Sequence, residues 1–256
     1  MLEFYHWEPV SHSLRVMIGL NESGVEYKAH YVDLLDFEQF SHEFLSMNRT
    51  GQVPVVVQDG HAMFESALIN EFLAELQPEA GLAPTDPNGW YQVQTWSKYI
   101  DYNLSSSLAT LGCRKYLAPS LAERDTDKLA ERVESIPVVQ RRPGWLAAIH
   151  NDYSDDVIDN STRKVQLVIE RMAGILDAAD WLVGDQYSIA DINSFAMIHG
   201  LRDVAPEVAG PGQAPAVDAW YDRIAERDAV KLSLGMSTRH APGEIYAPGP
   251  EHSRWG

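Results

Sequence analysis

The chain has a single cysteine, Cys113, among its 256 residues. One thiol excludes both a disulfide framework and a CxxC redox pair, and it leaves a structural zinc site without its usual ligands. The nine histidines are scattered, with no HExxH run and no His/Cys cluster, so no metal centre is expected. Positive charge is also scarce. The formal net charge of −17 argues against nucleic acid or an anionic membrane as partner, because both demand a basic footprint. The shortage is steepest near the N-terminus, where Met1 to Ala80 holds thirteen Asp and Glu against Arg15, Lys28 and Arg49, a net of −10. An anion bound in that stretch is expected to lean on backbone N–H groups and helix ends. No apolar run approaches the roughly 20 residues of a membrane span. The opening Met1-Leu2-Glu3-Phe4-Tyr5 has neither the basic nor the apolar region of a secretion signal. A soluble, cytoplasmic protein is expected. There is no internal repeat.

What the chain does contain is enough apolar material for a sizeable core: 45% hydrophobic residues, with seven Trp and eleven Tyr spread along its length. Leu2 to Tyr5 reads as a short strand. Ser13 reads as an N-cap for a helix carrying Leu14, Met17 and Ile18 and stopped by Gly24. Val25 to Val32 reads as a second strand, and Glu38 to Met47 as a short helix. The β-branched run Val53 to Val57, the turn Asp59-Gly60 and the return His61 to Phe64 form a hairpin. Leu68 to Leu76 completes a helix ended before Pro78. This order, βαβ followed by helix, hairpin and helix, gives a small mixed sheet covered by helices, the thioredoxin-like arrangement. Pro78 to Asn88 reads as a linker. Helical spacing dominates beyond it: one long helix from about Asn88 to Lys115, a charged helix from Leu121 to Val133, and further helices at Val165 to Leu176, Ser188 to Leu201 and Ala214 to Arg227. Ser135 to Asp159 reads as an irregular excursion with some helix, and the chain from about 235 as an irregular tail. The fold class is therefore α+β with two domains, 1–80 thioredoxin-like and 88–256 all-helical.

Four local patterns carry chemistry. In Gln52-Val53-Pro54, a cis peptide before Pro54 would turn the Val53 backbone outward to pair with another peptide, the alternative being a plain edge-strand proline. Glu65-Ser66 opens a helix whose free N–H groups suit a carboxylate, while Glu65 suits an ammonium; an ordinary N-cap would look the same. Ser13 occupies the loop where redox cysteines sit in thioredoxin folds. A hydroxyl there could donate to a bound thiolate, or simply cap the helix, with Ser11 or His12 assisting or replacing it. Ser188-Ile189-Ala190-Asp191 is a capping box with Asp in place of the usual Glu.

In order and spacing these patterns resemble the glutathione S-transferase family over most of the chain. The resemblance implies an enzyme with glutathione as cosubstrate, in which Ser13 activates the thiol, Val53 beside Pro54 pairs with the cysteinyl backbone, Glu65 and Ser66 hold the γ-glutamyl end, and Gln39 and Gln52 hold the glycine carboxylate. It also implies a dimer, with a like or a related chain. Asn48-Arg49 departs from the family's usual Asn-Pro. Phe37-Glu38-Gln39, Arg49-Thr50-Gly51-Gln52-Val53-Pro54, Gln140-Arg141 with Trp145, and Ala190 to Ala196 further resemble the bacterial lignin β-etherases. That implies cleavage of β-aryl ethers of aromatic ketones by thiolate displacement. A dehalogenase or maleyl-type isomerase on the same site, and a non-catalytic interaction module, are the other readings. Trp96, Tyr99 and Tyr102 read as core or domain interface, Arg141-Arg142 as solvated, and Cys113 as a small buried apolar residue.

Overall fold

The computed structural model describes residues 1–236, 239 and 250. The N-terminal part runs β1 (Leu2–His6), α1 (Ser11–Ser23), β2 (Tyr27–Tyr31), a 3-10 turn at Glu38–Phe40, α2 (His42–Met47), β3 (Val55–Gln58), β4 (His61–Met63) and α3 (Ser66–Leu76). The strands form one sheet in the order β2-β1-β3-β4. β1 and β2 are parallel, with Leu2 opposite Tyr27, and the other two pairings are antiparallel. This is the thioredoxin-like arrangement, as expected.

Helix α1 is buried on two sides. Val16, Met17 and Leu20 pack with Phe4, Val56 and Ile69 against the sheet, while Leu14 and Ile18 join the core of the helical domain. Buried on nearly every side although it carries His12 and Arg15, this helix lies between the two layers and ties the two halves together.

The helical domain begins at α4 (Pro87–Ile100). Asp86 Oδ1 accepts from Asn88 N at 3.1 Å and Gly89 N at 2.9 Å, and Pro87 sits where its missing N–H costs nothing. The helix continues through a π-helical turn at Asp101–Ser105 into α5 (Ser106–Gly112), then through a second at Cys113–Leu117 into α6 (Ala118–Ala122). α7 (Thr126–Glu134), a 3-10 turn at Val139–Arg141, α8 (Arg142–His150), α9 (Asp155–Leu176), α10 (Ile189–Val204), α11 (Pro206–Ala209), α12 (Pro215–Ala225) and α13 (Asp228–Leu234) follow.

Four local expectations differ. Helix α1 starts two residues before Ser13, with Val10 as its N-cap and Ser11 at φ 52°, so Ser13 lies inside the first turn and does not cap it. The helix expected over Glu38 to Met47 divides at Ser41, whose hydroxyl accepts from Phe44 N at 3.2 Å and starts α2 afresh. The excursion from Ser135 to Asp159, expected to hold some helix, is mostly helix: Pro143 falls in the first turn of α8, where proline is tolerated. Trp96 and Tyr99 pack in the core, but Tyr102 is 81% exposed, because it lies two residues beyond the buried Ile100 and so on the opposite face of the helix.

A further core cluster joins Trp7, Val32, Leu34, Phe37 and Phe44 to Cys113, Leu117, Trp145 and Ile149. It seats α8 against the loop before α2. Cys113 is buried there, as expected. The irregular tail from about 235 lies largely outside the described residues. Beyond Met236 two positions are described: Arg239 pairs with Asp33 and stands 5.2 Å above the Tyr31 ring, and Pro250 is buried against the cleft described next.

Candidate active site

The Val53–Pro54 peptide is cis. The β1–β3 ladder begins at Val55, so Val53 stands outside it with its backbone available to a ligand. Asn48 holds this approach: its Nδ2 donates to Gln52 O at 2.9 Å, and its Oδ1 accepts from Thr50 N at 3.1 Å. These bonds secure the turn although Arg49 stands where proline is usual.

Glu65 precedes α3 with φ 71°, a left-handed backbone that a non-glycine residue adopts only where its surroundings enforce it. Ser66 opens the helix. Its hydroxyl accepts from Arg15 Nη1 at 3.1 Å and shares a 3.0 Å hydrogen bond with His12 Nδ1. Arg15 is fully buried. Its Nη1 also donates to Asp101 Oδ1 at 2.7 Å, and its Nε and Nη2 donate to Asn193 O at 3.1 and 3.0 Å. Asn193 in turn donates to Ser97 Oγ and accepts from Asn70 Nδ2. The N-terminus of α3 is thus fixed from behind by a polar network that reaches the first π-helical turn and α10. A buried guanidinium is tolerated only with such partners.

Ser13 is 3% exposed, and its Oγ accepts from the Trp7 N–H at 3.1 Å. A hydroxyl that has accepted still has its own hydrogen to give. No acidic residue lies in the first turn of α1, so the positive helix end is undiminished there. Ser11 is spent elsewhere: its Oγ donates to Met197 Sδ at 3.4 Å. Tyr5 is directed away, donating to Glu3 Oε2 at 3.1 Å.

These residues share two adjoining cavities. One is lined by Asn48, Thr50, Pro54, Phe64, Glu65 and Ser66. The other is lined by Ser13, Gln39 and Arg141, with Trp7, Phe40 and Trp145 among its apolar walls. His12, Gln52 and Val53 line both. Every sequence-predicted site residue therefore lies on one continuous cleft. Gln39 is 2% exposed; its Nε2 donates to Leu34 O at 3.5 Å and its Oε1 has no hydrogen-bond partner.

The family model of the glutathione S-transferase N-terminal domain matches residues 2–75, and that of the C-terminal domain matches residues 141–228. Protein LigF of Sphingobium sp. strain SYK-6 is 30% identical over 244 residues, 93% of this chain and 95% of its own. The chain belongs to the glutathione S-transferase family. The crystal structure of that protein, described as beta-etherase LigF, superposes with a TM-score of 0.85 over 92% of this chain and 99% of its own. A glutathione transferase from Burkholderia graminis, solved with two glutathione molecules bound per subunit, shares the fold with a TM-score of 0.70 at 22% identity, over 93% of this chain and 89% of its own.

For a glutathione S-transferase, the sequence reading missed three features of this cleft. Arg141 was expected in solvent, yet it is 7% exposed and lines the cavity. Arg15 counted only as one scarce charge, yet it sits directly behind Ser66. Trp145 closes the wall, with its ring centroid 4.7 Å from Phe37 and 6.5 Å from Phe40. The capping box is present as expected: Ser188 Oγ accepts from Ala190 N at 3.2 Å, and Asp191 Oδ2 accepts from Ser188 N at 3.1 Å. Asp191 Oδ1 also accepts from Leu182 N and Trp220 Nε1.

Proposed function

We propose that this glutathione transferase cleaves β-aryl ether bonds of lignin-derived aromatic ketones. The observation that carries the reading is the likeness to LigF: 30% identity with a TM-score of 0.85, against 20% and 0.70 for a poplar F2 glutathione transferase. An aromatic wall of Trp7, Phe40 and Trp145 beside Ser13 suits an aryl substrate.

The step is a displacement. Glutathione loses its thiol proton to solvent, and the sulfur lone pair forms a C–S bond at the carbon that bears the aryloxy group. The neighbouring ketone activates that carbon. The C–O bond breaks, its electron pair leaves on the phenoxide, and the phenoxide takes up a proton. Glutathione is a consumed cosubstrate. Ser13 donates to the thiolate and, with the helix end, lowers its pKa from about 8.5 toward neutrality. Val53 beside Pro54 pairs with the cysteinyl backbone, Glu65 and Ser66 take the γ-glutamyl ammonium and carboxylate, and Gln39 and Gln52 face the glycine end. The protein contributes positioning and thiolate stabilisation.

The domains are taken as 1–80 and 88–256. Phe64, Leu68 and Tyr91 are 45%, 57% and 68% exposed near β4, α3 and α4, which favours burial of this face in a homodimer or a pair with a related chain. Among the described residues no helix is long and apolar enough to cross a membrane, which is compatible with a cytoplasmic enzyme.

The test is product analysis with an aryl ether ketone, a haloaromatic and a maleyl substrate, each with glutathione. Phenol and glutathionyl ketone in equal amounts are expected from the first. Turnover of the haloaromatic or maleyl substrate alone would replace the etherase reading, and failure to retain glutathione with no turnover would leave only an interaction module.

A further inference from the structure

We propose that Arg132, on helix α7 of the helical domain, is a positioning residue for the electrophile: through Phe37 it holds the aromatic wall of the cleft ready for an aryl substrate. The inference rests on the aryl-substrate reading above. Its starting point is charge. The chain carries 20 Lys and Arg against 37 Asp and Glu, yet three arginines meet on one acidic loop, residues 33–38. Arg239 pairs with Asp33. Arg124, just before α7, donates from Nη1 to Leu35 O at 3.0 Å and to Asp36 Oδ1 at 3.1 Å. Arg132 Nη2 donates to Asp36 O at 2.8 Å, and its guanidinium stands 4.9 Å from the centre of the Phe37 ring. Exposed ion pairs alone contribute little. Here Arg124 and Arg132 also satisfy backbone carbonyls, while the loop satisfies its own N–H groups: Asp33 Oδ1 accepts from Leu35 N at 2.8 Å and Asp36 N at 3.2 Å.

That grip reaches the cleft through Phe37, which is buried and held left-handed at φ 61°. A non-glycine residue keeps such a backbone only where its surroundings enforce it. Arg132 covers part of the Phe37 ring, and Trp145 packs edge-on against the same ring at 4.7 Å. Trp145 in turn stands 6.5 Å from Phe40, and those two side chains line the cavity beside Ser13. Arg132, Phe37 and Trp145 therefore form a chain of contacts from the surface of α7 to the wall of the cleft. Val53, Glu65 and Ser66 stand on other elements and outside that chain. A wall held in place beforehand lets an aryl ring bind without first ordering those side chains, whereas a wall released from Arg132 must be ordered by the electrophile itself. Arg132 acts only through Phe37, so its loss weakens electrophile binding and leaves thiolate formation at Ser13 as it was.

The experiment measures kcat and KM for an aryl ether ketone and for a haloaromatic, with glutathione affinity followed by calorimetry. The proteins are the wild type, Arg132→Met, Arg132→Lys, Phe37→Leu and the double variant Arg132→Met/Phe37→Leu. Arg132→Met is expected to raise KM for the aryl substrates about 3- to 10-fold, a share of what an exposed cation–π contact and a charged hydrogen bond supply, with kcat and glutathione affinity held within about twofold. Arg132→Lys recovers part of the loss. The double variant loses clearly less than the sum of its two single changes, because both act through one contact. An unchanged KM in Arg132→Met overturns the proposal, as does an equal fall in glutathione affinity or full additivity in the double variant. A wild type that turns over the haloaromatic and not the ether overturns the etherase reading alone, and the haloaromatic then decides the role of Arg132. A wild type that turns over neither overturns the aryl reading and this proposal with it.

Discussion

Replacing Ser13 with Ala separates the two jobs its hydroxyl does. Its oxygen accepts from the Trp7 N–H at 3.1 Å, and the residue lines the cleft that holds Val53, which leaves its own hydrogen to give to a bound thiolate. A hydrogen bond to a charged group contributes about 1.5–3 kcal/mol. At 1.36 kcal/mol per pH unit, losing it should raise the pKa of the bound thiol by about 1–2 units. The rate at a pH below that value should then fall about 10- to 100-fold and recover as the pH is raised through the new pKa. The second job is structural. Trp7 loses its acceptor inside the protein, so stability should drop by about 1–3 kcal/mol. Ser13→Thr keeps the hydroxyl and separates the effects. The assay is a pH–rate profile at saturating glutathione, paired with ultraviolet titration of the bound thiolate and a urea unfolding curve. An unchanged profile and an unshifted thiolate titration in Ser13→Ala would refute the reasoning. Ser11 could not readily rescue it, because its hydroxyl is directed to Met197.

Three further outcomes follow from the surrounding structure. Arg15→Met leaves Ser66, Asp101 and Asn193 O without their shared donor, a loss of about 3 kcal/mol; this is the low end for a broken buried pair because Asp101 is 21% exposed, and urea unfolding together with a raised KM for glutathione would show it. Gly19→Ala puts a Cβ onto Asn70 Oδ1 and 3.3 Å from Leu73 Cδ1, so the Asn70 side chain must leave its bonds to Arg15 O and Asn193 Oδ1, costing about 1–3 kcal/mol in the same unfolding assay. His199 has its pKa pushed down to about 4 by burial, with Arg202 adding to the effect. The unfolded chain takes up that proton near 6.5 and the native protein does not, so native stability should fall as pH drops from about 6.5 to 4, by up to roughly 3 kcal/mol, with a shallower pH dependence in His199→Gln.

How much of this was readable in advance depended on whether a feature is set locally. The Val53–Pro54 turn, the start of α3 at Ser66 and the Ser188/Asp191 capping box are each fixed by a few consecutive residues, and each was legible. The hairpin at Asp59-Gly60 was legible for the same reason. Ser13 was found for an incomplete reason: the chain enters α1 through Ser11 at φ 52°, and no spacing rule announces that. Arg15 and Arg141 were misread because a charge count carries no depth. Arg15 is buried through bonds to Ser66, Asp101 and Asn193, which lie far apart in sequence. Arg141 is held at the wall of the cleft just before α8, a helix disguised by Pro143-Gly144 and seated by Trp145 against a loop about a hundred residues earlier. Tyr102 was misjudged because it was grouped with Trp96 and Tyr99 as an aromatic stripe, although helical spacing puts it opposite the buried Val93 and Ile100.

A crystal structure with glutathione bound tests the central claim most directly. The account predicts the cysteinyl backbone paired with Val53, the sulfur within hydrogen-bond distance of Ser13 Oγ, the γ-glutamyl carboxylate at the Ser66 end of α3 and the glycine carboxylate facing Gln39 and Gln52. Glutathione found outside this cleft, or bound with its sulfur away from Ser13, would contradict it.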